Sequence, residues 1–143
     1  MIRAARRVAR TATLTLLVAC APGRPDAIAY NVDACAYCRM LIGDGRFAAA
    51  LVTVHGRTVK FDSIECLVGY YHQAAAVQDV ASVWVTDLRH PGTLIDATTA
   101  RFINLGGGRT PMGRGWAAVA TARDAAALGV IDSNAIKRWG DLQ

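Results

Sequence analysis

The chain has 143 residues, the length of one domain, and 53% of them are hydrophobic, enough for a core. It carries 16 Lys and Arg against 11 Asp and Glu. Arg3, Arg6, Arg7 and Arg10 all precede Cys20, so the remainder is close to neutral, which rules against a nucleic-acid surface built from clustered basic residues.

Those four arginines form a basic leader, followed by a short apolar run over residues 11–19. The run is far shorter than the ~20 residues of a membrane helix and suits a signal peptide over residues 1–19. It ends in Leu17-Val18-Ala19-Cys20, a small residue before a cysteine, which resembles a bacterial lipobox with Cys20 as the lipidated residue. Residues 20–34 then read as the lipidated cysteine and a flexible tether, with Pro22, Gly23 and Pro25 and no periodicity. The folded domain is expected over residues 35–143. No later apolar stretch is long enough to span a bilayer.

Within that domain, residues 47–55 are β-prone, Gly56-Arg57 marks a turn, and residues 58–61 read as the returning strand of a hairpin. Asp62 or Ser63 is a candidate helix N-cap, and Ile64, Leu67, Val68, Tyr71 and Ala75 recur at helical spacing to about Ala76. Residues 80–86, β-branched around Trp84, form the next strand, giving β-β-α-β. A similar order follows: an extended piece at 92–95, a helical turn at 96–100, strands at 101–105 and 116–121, and a helix at 123–128 ended by Gly129. Ser133 is expected to cap a last short helix reaching Trp139. The reading is an α+β domain.

With Cys20 lipidated, Cys35, Cys38 and Cys66 remain, an odd number in an exported chain, so at least one thiol needs an explanation. Cys35-Ala36-Tyr37-Cys38-Arg39-Met40 places three sulfur atoms in six residues. As a redox motif it lacks the helix it would open, and as half of a zinc site it lacks a second Cys/His pair, since His55, His72 and His90 are scattered. Soft thiol and thioether donors suit Cu(I), while a plain disulfide remains open. Beyond Met1 and Met40, the only methionine is Met112, set between Pro111 and Gly113 in a glycine-rich loop and outside any amphipathic stripe. Gly106-Gly107-Gly108 lacks the Lys-Ser/Thr of a phosphate loop. Cys66, in the expected first helical turn, is a second-tier ligand, a disulfide partner or a small core residue.

Five pieces in order resemble the NosL family of copper-binding lipoproteins: the lipobox at Cys20, Cys35-x-x-Cys38-Arg39-Met40, Phe61-Asp62-Ser63-Ile64-Glu65-Cys66-Leu67, Trp84-Val85-Thr86-Asp87 and Thr110-Pro111-Met112-Gly113. The resemblance implies two small ββαβ-type halves, an architecture related to part of the organomercurial lyase fold. It also implies a Cu(I) chaperone, not an enzyme, in the maturation of nitrous oxide reductase, with the reductase or its ABC-type assembly complex as partner. Carried onto this sequence, the ligands are Cys38, Met40 and Met112, then Cys35. The family usually has glycine where this chain has Arg39.

The expectation is therefore a lipid-anchored periplasmic Cu(I) carrier, with the outer membrane preferred because Ala21 lacks the aspartate associated with inner-membrane retention, and with a homodimer left open. The competing expectations are a thiol enzyme using Cys35, Cys38 and Cys66, either an oxidoreductase or organomercurial-lyase-like, and a structural lipoprotein whose cysteines form a bridge.

Overall fold

The structure, a computed structural model, describes residues 23–73 and 79–143. The leader and Cys20 lie outside the described residues, as do Ala75 and Ala76.

A four-stranded antiparallel sheet in the order β2-β1-β3-β4 forms the larger part of the fold. Its centre is β1 (Ala49–Thr53), whose small and branched residues are buried almost throughout because β2 and β3 flank it on both edges. The hairpin to β2 (Thr58–Phe61) pairs Ala49 with Phe61 and Val52 with Thr58, and Gly56 supplies the left-handed turn at φ 81°. Strand β2 alternates, with Val59 and Phe61 inward, and burying a ring such as that of Phe61 contributes roughly 1.5–3 kcal/mol. Helix α1 (Ile64–Tyr71) starts where Ser63, the second of the two candidate caps, accepts a hydrogen bond from the Cys66 amide at 3.2 Å, a contact worth about 1 kcal/mol. It ends at His72. Strand β3 (Val80–Thr86) returns beside β1, and β4 (Leu94–Asp96) pairs with β3.

The second half repeats β-β-α on a smaller scale. Strands β5 (Arg101–Asn104) and β6 (Trp116–Val119) pair antiparallel, and α2 (Ala122–Ala127) follows with a Thr121–Asp124 capping box. The closing strand shrinks to one bridge, Lys137 against Phe102, on the free edge of β5. A parallel bridge between Asp87 and Ala118 joins the two sheets. Trp139 seals the seam, edge-on to Tyr71 at 5.4 Å and beside Phe102 at 6.1 Å. This is the expected α+β arrangement of two ββαβ-type halves.

Two expectations are corrected. The last helix is instead two separate 3-10 turns, Ser133–Ala135 and Trp139–Asp141, because residues 136–138 are drawn out to pair with β5; Asp132, not Ser133, caps the first. The described part of the expected tether, residues 23–34, lies fastened to the domain. Lys60 Nζ donates to the Ala27 carbonyl and to Asp33, both at 2.7 Å, the Asp26 amide donates to Thr58, and Ile28 and Tyr30 pack on the core.

Candidate metal site

The sulfur-rich stretch is a hairpin loop. Ala34 and Leu41 form its closing bridge, the Cys35 amide donates to the Met40 carbonyl at 2.8 Å, and the Arg39 amide donates to the Cys35 carbonyl at 3.0 Å. To close that ring, Arg39 adopts φ 69°, the left-handed conformation that glycine takes freely and that costs an L-residue about 1–2 kcal/mol. Arg39 thus holds a backbone turn that glycine would make without strain.

The loop lies along the junction of β2 and α1. The Ala36 amide donates to the Lys60 carbonyl, and Cys35 shares a buried cluster with Phe61, Ile64 and Leu67. That placement decides the fate of Cys66. It does not share the Ile64–Leu67–Val68–Tyr71 stripe, yet it is fully buried, because the loop covers its side of the helix. The Sγ atoms of Cys35, Cys38 and Cys66 all lie within 4.8 Å of one another. Among the described residues this is the one group of three or more Cys, His or acidic side chains close enough to hold a metal ion. All three are free thiols; Cys35 and Cys66 are 0% exposed and Cys38 is partly exposed.

The electrostatics of the trio are uneven. The Cys66 thiol donates to Cys35, and the backbone amides of Asp62, Cys38 and Tyr37 add to it, holding the Cys35 thiol down at about 4 against the opposing effect of burial. Cys66 is pushed up by that same donated hydrogen bond and by burial, and Cys38 is raised chiefly by burial. The arrangement favours the charged form at Cys35 and the protonated form at Cys66. Beside them Asp62 is buried, and its carboxyl is raised by burial first and then by the negative charge of Cys35.

The two methionines sit differently. Met40 is 54% exposed at the end of the loop. Met112, 39% exposed, lines a cleft of about 340 Å³ together with Tyr37, Glu65, His72, Arg114 and Trp116. Tyr37 lies between the two loop cysteines in sequence, and its ring packs so closely over Gly69 that a Cβ there would sit 2.7 Å from it. The loop of Met112 is braced internally: the Leu105 amide donates to the Gly115 carbonyl, Gly108 to Gly113 and Gly113 to Thr110. So the expected ligands divide. Cys35 and Cys38 meet Cys66, which the sequence ranked below them, while Met112 reaches the neighbouring cleft, whose wall contains no cysteine. His55, His72 and His90 are not in the thiol group; His90 Nδ1 instead pairs with Asp87 at 2.7 Å.

Sequence reasoning offered Asp62 only as a candidate helix cap and gave Glu65 no role of its own. Both stand in the Phe61–Leu67 motif, and their signal was two acids flanking a helix start beside a cysteine. A set of three soft donors, one of them reachable from outside, is chemistry for a soft metal ion; a structural zinc site would close with four ligands.

The sequence model of the NosL family matches residues 28–141, most of the chain. The crystal structure of the copper chaperone NosL from Shewanella denitrificans is similar, with a TM-score of 0.70 and 21% sequence identity, over 85% of this chain and 96% of that one. At that identity the likeness is one of fold. No curated protein matches. None of the helices described is long and apolar enough to cross a membrane.

Proposed function

We propose that this chain, which belongs to the NosL family, is a carrier of Cu(I), exported and anchored by lipid on Cys20, that delivers copper for the maturation of nitrous oxide reductase. Family membership supports a role without catalytic turnover, as does the word chaperone in the name of the similar structure. The observation that carries the copper reading is the convergence of Cys35, Cys38 and Cys66 beneath a surface loop, with the exposed thioether of Met40 at the end of that loop and that of Met112 in the neighbouring cleft.

In this reading the buried thiolate of Cys35 and the half-open Cys38 hold the ion, and Cys66 supplies a third sulfur from the helix. Soft thiolates match Cu(I), and three donors leave a position free for an incoming ligand. Met40 and Met112, weaker neutral donors on the surface side, would ease the ion out by ligand exchange. The recipient is the reductase or its ABC-type assembly complex. The lipid would hold the carrier on the periplasmic face of a membrane, the outer membrane by preference.

The test is an anaerobic Cu(I) titration of the reduced protein against a coloured chelator. One tight site is expected, weakened by Cys38→Ala and less so by Met112→Ala. Binding indifferent to both substitutions would sink the proposed site, and dithiol turnover with a disulfide substrate would move the chain to the enzyme class.

A further inference from the structure

We infer that Glu65 is a positioning residue for copper handling: its carboxylate ties the Met112 loop to the helix that carries Cys66, and so fixes the thioether relative to the thiols. The inference rests on the reading of Met112 as a copper ligand.

Glu65 Oε1 accepts from the Thr110 hydroxyl at 2.7 Å and from the Trp116 amide at 3.2 Å. These two donors are the far end and the root of the same loop. Thr110 opens Thr-Pro-Met-Gly, and Trp116 is the first residue of β6. The Thr110 hydroxyl, itself buried, also accepts from the Gly115 amide at 3.0 Å, so one side chain closes the loop across its base and reaches the helix. From Thr110 to Met112 there is only Pro111, whose fixed φ leaves little slack. On the other side Glu65 and Cys66 are consecutive in α1. The path from thiol to thioether thus runs through one residue step of the helix, one carboxylate and three residues of loop.

An acid in the first turn of a helix is favourable when simply exposed to solvent. Here Glu65 is used otherwise. Its second oxygen, Oε2, is buried with no hydrogen-bond partner among the described residues, and the side chain forms part of the wall of the cleft that Met112 lines. A glutamine oxygen would still accept from Thr110 and Trp116, though without the charge, so the tether and the charge can be separated by substitution.

The experiment measures Cu(I) affinity by chelator competition, and the shift of the Met112 methyl resonance on adding Cu(I), in the intact chain and in Glu65→Ala, Glu65→Gln, Thr110→Val, Met112→Ala and the Glu65→Ala/Met112→Ala pair. Glu65→Ala and Thr110→Val are expected to weaken binding about 10-fold, the range for groups that orient a ligand, and to shrink the methyl shift. Glu65→Gln is expected to retain most of both, and the double variant to bind as Met112→Ala does, because the two act in series. Circular dichroism checks the fold of each; if Glu65→Ala does not fold, Thr110→Val breaks the same tie from the other end. Full affinity in Glu65→Ala and Thr110→Val alongside a weakened Met112→Ala overturns this inference and leaves the copper reading standing. Losses that add in full overturn it as well. An unaffected Met112→Ala overturns this inference together with the reading of Met112 as a ligand, while a loss in Cys38→Ala keeps the thiol site.

Discussion

The two halves of the molecule share an order of elements and spend it differently. In the first, β1 and β2 are joined by a tight turn at Gly56, α1 buries Ile64, Cys66 and Leu67, and three thiols end up in a packed corner. In the second, α2 buries only Ala125, the last strand is a single bridge, and the connection between β5 and β6 is a long arm over residues 105–115 that carries Met112. The difference teaches a division of labour. Rigid packing suits the proposed binding corner, and an arm braced by its own hydrogen bonds and tied to α1 through Glu65 suits a thioether held at a set place beside it.

The sharpest test of the packed corner is its titration. Cys35 is held down at about 4 and Cys66 is pushed up, each through the other. Between about pH 4 and the ordinary thiol range near 8.5, the copper-free folded pair binds one proton and the unfolded pair two, so stability should rise with pH, by up to about 1.4 kcal/mol per unit. Above that range the unfolded chain releases both protons while Cys66 keeps its own, and stability should fall. Asp62, raised by burial, opposes the trend at the acid end. Urea unfolding from pH 5 to 10 checks this, and the rise should vanish in Cys35→Ser.

Next in size, Cys38→Ala should cost more than the ~10–100-fold that second-layer groups cost in metal affinity, since it removes a proposed ligand outright. Copper competition with the cleanly folded variant measures it, and a smaller loss than that of Met112→Ala would reverse the division between corner and arm.

The arm breaks most directly at Gly115, at φ 84°, where an added Cβ would meet the Gly106 carbonyl oxygen and the Asn104 side chain. Gly115→Ala should destabilise by about 2 kcal/mol, read from thermal melts. It should also release the Gly115 amide from Thr110, so copper affinity should drop toward that of Met112→Ala. Smallest is Arg39→Gly, which relieves a left-handed arginine and should raise stability by about 1 kcal/mol at unchanged fold. Melting temperature checks it; a decrease would mean that the guanidinium contributes more than the strain removes.

Much of the fold was legible because its signals are local. Strands β2 and β3 fall where alternation and β-branching put them, the helix starts one residue after a serine cap, and Gly129 stops α2 at φ 87°. The end of the chain was misread for a reason of range: residues 136–138 look helical in isolation and are drawn out by pairing with β5, more than thirty residues earlier. The same holds for residues 23–34, whose small and polar composition reads as a loose tether, while Lys60 and Thr58 on β2 hold it down.

By itself the sequence determined which chemistry was available: three soft thiols, two thioethers outside the leader, and a motif order shared with one family. Donor type is written in side chains, so one dimension suffices. Only the tertiary structure decided which donors meet. Cys66 joins the loop cysteines because a hairpin folds over the far side of its helix, and Met112 comes to the adjoining cleft because Glu65 ties its loop to that helix. Both depend on contacts between segments distant in the chain, which no local spacing encodes.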